Sequence, residues 1–323
     1  MNRFAFPLRM IVYLFLFVTP PAVGQVVDER VVVGVLQSSG VVIPFARYDG
    51  VGWLNTWPLP EERSNVPSQP AVANLREWLG GETAPAMWRI WLQSGTSHEV
   101  RTVGLELIKS QCGANWGFMT DFPKAVDSCR YCCPDALVGI ALSTDHTIYP
   151  TPQADHSLLP YNALERAFNA TESREVAELQ ESQRRSGTYY GPPLDLKARS
   201  VVPIRVERAW AMAIAPGKML YYIEAVRRYV NVQATNEVGC PYIAAFRGWI
   251  TVNRERQGKA IDTKLDFTDC DFKGASFVKP LAMFDFKSGR YAIVQNNGWE
   301  SQSYGLVKIE SGRIVTIIDA PVR

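Results

Sequence analysis

The chain has 323 residues, 47% hydrophobic and 20% charged, a balance that excludes a disordered or low-complexity polypeptide. Its 34 basic and 32 acidic residues leave a formal charge of +2, with none of the concentrated Lys and Arg on which nucleic-acid or anionic-lipid binding depends. Nucleic acid is therefore set aside as a partner.

The first element is a leader. Arg3 and Arg9 precede an apolar run from Met10 to Val18, and Ala22-Val23-Gly24 puts small residues where a signal peptidase cuts. The run is far shorter than the roughly 20 residues that cross a bilayer, and no later stretch reaches that length. Residues 1–24 are expected to be a signal peptide that directs the chain out of the cytoplasm, to the periplasm or the medium. Losing its two arginines brings the formal charge from +2 to zero. Mass spectrometry of exported protein should find Gln25 at its amino terminus, and an intact Met1 would overturn this reading.

Beyond the leader, short β-like runs alternate with glycine turns. Val31–Gln37 and Val41–Arg47 flank Ser38-Ser39-Gly40, and Tyr48-Asp49-Gly50 turns the chain toward Trp53. Pro70 to Gly80 fits a short helix near 70–79, with Val72, Leu75, Trp78 and Leu79 on one face. Met87–Gln93, Val100–Ile108 and Ala136–Leu142 continue the β pattern. A longer helix is expected over 162–185, capped by Asn162 with Glu165 reaching back, and its charged outer face suggests a solvated strut. After residue 200 the runs become dense: Val201–Ile214, Met219–Tyr229, Tyr242–Val252, Ala260–Phe267, Phe277–Phe286, Tyr291–Gln295, Tyr304–Ile309 and Ile314–Ile318. Pro216-Gly217, Gln257-Gly258, Ser288-Gly289, Asn297-Gly298 and Ser311-Gly312 punctuate them.

The expected fold is mainly β, built of antiparallel hairpin meanders arranged as stacked sheets or as a β-propeller. The propeller alternative rests on a likeness between residues 35–50 and 284–299, each a strand, a Ser-Gly turn, a second strand and an Asp-Gly or Asn-Gly turn. The organisation is a β-rich half over 25–158, a helix and connector over 159–199 and a β-meander half over 200–323, the two halves together forming either one closed domain or two.

Six cysteines occur: Cys112, Cys129, Cys132, Cys133, Cys240 and Cys270. Covalent haem attachment needs a His directly after a Cys-x-x-Cys, and here Cys133 follows Cys132. A thioredoxin-like pair would need a βαβ context, and a zinc site would need a second cysteine pair or closer histidines. In an oxidising compartment disulfides are the expected use. Cys240 and Cys270 bracket a hairpin and are expected to pair. A vicinal Cys132–Cys133 bond would be strained, which leaves Cys112 bonded to Cys132 or Cys133.

Three groups of residues carry candidate chemistry. Asp145-His146 and Asp155-His156 pair acids with imidazoles, the residue types of a hydrolase base and its orienting group, with His98 the third histidine. Asp266, Asp269 and Asp271, followed by Gly274, resemble the start of a calcium-binding loop, although Lys273 and Pro280 stand where further oxygen ligands belong. Trp53 and Trp299 lie beside turns and are candidate binding surfaces. No Gly-x-Ser-x-Gly elbow, phosphate loop, dinucleotide fingerprint or His-Glu-x-x-His helix occurs. The reading that follows is an exported, disulfide-stabilised β protein that binds a protein, glycan or small-molecule ligand or serves a structural role. A hydrolase using His146 or His156 and a calcium-stabilised adhesion module are its alternatives, calcium being the one cofactor considered.

Overall fold

A computed structural model of the chain describes residues 30–55, 85–110, 113–123, 137–144, 146–184, 187, 191–229, 241–268, 272, 274–287, 289–298 and 302–322. The leader, the helix expected near 70–79 and all six cysteines lie outside the described residues.

The fold is mainly β and antiparallel, as the sequence leads one to expect, and its sheets are stacked. Strands β1 (Val31–Gln37), β2 (Val41–Tyr48), β3 (Trp53–Leu54), β4 (Met87–Leu92), β5 (Ser97–Ser110), β6 (Gly113–Thr120) and β7 (Leu137–Leu142) form the first sheet, in the order β1-β7-β4-β5-β6-β2-β3. Because β1 also pairs with β2, six of these strands close into a barrel, which removes the exposed edges that an open sheet must protect. Alternate residues of β1 divide between its two faces. Val32 and Leu36 meet Val42, Trp88, Ile90 and Phe118 inside the barrel, whereas Val31, Val33 and Val35 pack outward. The register slips at Gly34, where a Cβ would lie 2.9 Å from the Ile43 carbonyl oxygen, so only glycine lets the two strands close there.

The outward residues meet a second sheet. Strand β8 (Ile148–Pro150) joins β13 (Phe277–Phe286), β14 (Gly289–Asn297), β15 (Gln302–Glu310) and β16 (Arg313–Val322) in the order β16-β15-β14-β13-β8. Its Ala282, Phe284, Ile293 and Leu306 face the barrel, and the intervening Met283, Ala292, Val294 and Val307 face a third sheet. That third sheet is a meander of β9 (Arg205–Ala215), β10 (Lys218–Tyr229), β11 (Tyr242–Val252) and β12 (Gly258–Thr268). A sheet covered on both faces needs apolar residues at successive positions, which is why its central strands β10 and β11 read as near-continuous apolar runs. The two hairpins whose likeness suggested a propeller belong to different sheets, one in the barrel and one in the middle layer.

Helix α1 (Tyr161–Gln183) covers the outer face of the third sheet, where Phe168 stacks on Phe246 with ring centroids 5.3 Å apart. Two expectations about it are corrected. Pro160 occupies the cap position and its carbonyl oxygen accepts from the Ala163 and Leu164 amides, so Asn162, already inside the first turn, does not cap. The helix is also no solvated strut, because Ala163, Leu164, Ala167, Phe168, Thr171, Glu172 and Val176 are buried against the sheet. Glu172 interrupts the apolar stripe and hides it from a periodicity reading. Its carboxylate accepts from Arg227 Nη1 and from the Tyr229 hydroxyl, each at 2.5 Å, and lies 3.3 Å from Arg199 Nε. Arg199 comes from helix α2 (Leu196–Ser200), so this buried network fastens the connector to the third sheet.

Candidate functional site

The histidines occupy three separate places. His98 lies on β5 opposite Ile90 and meets the edge of Phe122, with ring centroids 6.3 Å apart. His146 precedes β8 and meets Phe286 edge-on at 5.3 Å. His156 opens a single 3-10 turn over His156–Leu158, and Asp155 caps that turn by accepting from the Ser157 amide at 2.9 Å. The Ser157 amide and hydroxyl hold the Asp155 carboxyl below its usual range. Asp155 thus serves the turn, and Asp145 lies outside the described residues.

Trp53 is half-buried in the contact between barrel and middle sheet, 5.4 Å from Tyr48 and from Phe286 and 5.5 Å from Tyr291 by ring centroids. Trp299, Asp269 and Asp271 lie outside the described residues. The Asp266 carboxylate is bonded to the Arg247 guanidinium. No group of three or more His, Cys, Asp or Glu among the described residues is placed to hold a metal ion. The β11–β12 hairpin expected to bring Cys240 and Cys270 together is formed, with Ile243 opposite Thr268.

Among the described residues, a further concentration of polar groups lies between the two C-terminal sheets and follows from strand register. Across β9, β10, β11 and β12 the residues Arg208, Glu224, Arg247 and Lys264 stand opposite one another in one row. Two positions away, Trp210, Tyr222, Trp249 and Asp262 form the next row on the same face. A charged row and an aromatic row therefore both point toward the middle sheet.

Within the charged row, Arg208 Nε donates to Glu224 Oε2 at 2.5 Å while its guanidinium lies 5.2 Å from the centre of the Phe277 ring. Glu224 is 1% exposed, and its Oε1 is without a hydrogen-bond partner, as is the Tyr222 hydroxyl. Burial pushes the Glu224 carboxyl up to about 7, against the opposing pull of Arg208, the Val278 amide and Arg247. Burial likewise raises the Tyr222 phenol well above its ordinary range.

Beside these rows the sheets part to leave a cleft of about 590 Å³, within the ~300–1,000 Å³ typical of small-molecule sites. Arg247, Trp249 and Asp262 line one wall, and residues of β14, β15 and β16 line the other. On that second wall the Ser303 hydroxyl donates to Asp319 Oδ1 at 2.8 Å and accepts from Asn296 Nδ2 at 3.0 Å. Asn296 Nδ2 is also 3.3 Å from Asp319 Oδ1. The backbone behind this trio is tied to the barrel, since Asn55 Nδ2 donates to the Asp319 carbonyl oxygen at 3.0 Å. Val294, Val307 and Ile314 supply apolar surface between the polar groups.

Sequence reasoning singled out none of these residues. One local signal was present. Glu224 interrupts the apolar run Leu220–Val226 at a position whose neighbours two residues away are also inward, which marks a charge buried by design. Asp319, Ser303 and Asn296 carry no such mark, because they come together only through the β14–β15–β16 register. No protein-family description matches this chain, and no match was found among curated proteins or solved structures.

Proposed function

We propose that the chain is an exported, disulfide-clasped β protein that binds a small ligand in the cleft between its two C-terminal sheets. The observation that carries this reading is the cleft itself, about 590 Å³ in volume, with apolar surface contributed by both walls and polar side chains fixed among them. Such a mixture suits recognition: the apolar part supplies affinity through water release, and a few positioned polar groups select the ligand's orientation. The walls belong to sheets buried on both faces, so the site is held by rigid elements and binding entails little ordering of the protein.

Thr316 offers a direct test. It is exposed, lies on β16 opposite Val307 and lines the cleft, so an indole at this position would fill the space without disturbing a packed core. A fragment library is screened by thermal shift against the wild type, and the hits are measured again on Thr316→Trp. Hits should lose at least tenfold in affinity in the variant while its own melting temperature stays within ~2 °C of wild type. Hits bound equally well by both proteins would place the ligand outside the cleft and overturn the reading.

A further inference from the structure

The chemistry of the two walls narrows the ligand. Asp262 on one wall and Asp319 on the other are exposed carboxylates, and the Arg247 cation between the sheets is already bonded to Asp266. The cleft therefore carries a net negative lining, which opposes phosphate, sulfate and carboxylate ligands. A simple amine would satisfy the two carboxylates but leave the Arg247 donors facing an apolar or cationic surface. A wholly apolar ligand would desolvate every one of these groups without replacing its hydrogen bonds.

Hydroxyl groups meet all of these demands at once, because each donates one hydrogen bond and accepts others. They can donate to Asp262, Asp319 and the Asn296 amide oxygen and accept from Arg247. Between these polar groups lie Val294, Val307 and a strip of the Trp249 indole, which is 5% exposed. A pyranose has this same division, with hydroxyls around its rim and C–H groups on its faces. Ser303 and Asn296 hold the Asp319 carboxylate in place before any ligand arrives, so less freedom is lost on binding.

We propose that the inter-sheet cleft is a carbohydrate site that seats an uncharged pyranose between the Asp262–Trp249 wall and the Asn296–Ser303–Asp319 wall. The assignment rests on the reading of the chain as a binding protein and goes one step past it, to the class of ligand. Asp319 is a ligand-contacting acceptor, Asp262 faces it from across the cleft, and Ser303 is a positioning residue that acts through Asp319.

The test uses the full-length exported protein, with intrinsic tryptophan fluorescence and calorimetric titration as readouts. The probes are the mono- and disaccharides of glucose, galactose, mannose and N-acetylglucosamine, with spermidine as the cationic control and citrate as the anionic one. At least one sugar should bind, and Asp319→Asn should weaken it at least tenfold at an unchanged melting temperature. Ser303→Ala should weaken it less, and Thr316→Trp should abolish it. Sugar binding that all three variants leave intact would overturn the assignment of the site. Spermidine or citrate binding that Thr316→Trp abolishes, with no sugar bound, would overturn the carbohydrate class while leaving the cleft as the binding site. Binding of none of the probes would overturn the carbohydrate proposal, and the fragment screen on Thr316→Trp decides separately whether the cleft binds anything.

Discussion

Replacing Glu172 by alanine is expected to destabilise the protein by about 3–5 kcal/mol, the range found when one partner of a buried ion pair is removed. Arg199 and Arg227 are 2% and 1% exposed, so neither guanidinium can turn to water when the carboxylate is gone. Arg199 would keep its bonds to the Pro193 and Leu194 carbonyl oxygens and to Ser173 Oγ, all within 2.9 Å. Arg227 would keep Val202 O at 2.9 Å, Asn169 Oδ1 at 3.0 Å and the Phe168 ring, centred 4.9 Å from its guanidinium carbon. Two positive charges would then share a buried site with neutral acceptors alone. The Tyr229 phenol, raised by burial and by its bond to Glu172, would lose its acceptor as well. Urea unfolding should show a lower midpoint at an unchanged slope. Glu172→Met combined with Arg227→Met should recover part of the loss, because one of the orphaned charges leaves with the carboxylate. A Glu172→Ala midpoint equal to wild type would mean that the network contributes nothing.

The second large effect is a pH dependence set by Glu224. Its carboxyl is pushed from an ordinary value near 4.5 up to about 7 in the fold, chiefly by burial. Between these values the folded chain holds a proton that the unfolded chain has released, so stability must fall as pH rises across that window. The contribution is complete below about pH 4.5 and is lost as pH passes about 7; the shift corresponds to about 3 kcal/mol. Glu224→Gln keeps the shape, carries no charge and leaves Arg208, 45% exposed, free to hydrate. The difference in stability between variant and wild type should favour the variant increasingly from pH 5 to pH 8. A difference that stays flat over this range would mean that Glu224 remains ionised in the fold through its bond to Arg208.

Much of the strand framework was legible because its signals are local. Glycines that end strands read as turns, and Gly40, Gly217 and Gly312 do adopt positive φ, at 81°, 71° and 95°. The β1–β2, β9–β10, β11–β12, β13–β14, β14–β15 and β15–β16 neighbours are all consecutive hairpins, so turn chemistry and two-residue alternation were enough to see them. The long helix was visible from its length and charge, whereas its buried face was not. Glu172 stands in the stripe that a periodicity reading expects to be apolar, and its burial depends on arginines 27 and 55 residues further along the chain.

The sequence by itself determined that this chain is β-rich, where its hairpins turn and which residues alternate across each strand, since these follow from backbone sterics and neighbouring side chains. Only the tertiary structure decided what each face meets. Strand β1 pairs with β7 more than a hundred residues away and with β2 beside it, and that double pairing closes the barrel. Stacking of the third sheet on the middle one buries Glu224 and leaves the cleft between Asp262 and Asp319. Alternation states that a strand has two faces but not which partner covers either one. That choice is made by the burial of the whole chain at once, which no local run of residues encodes.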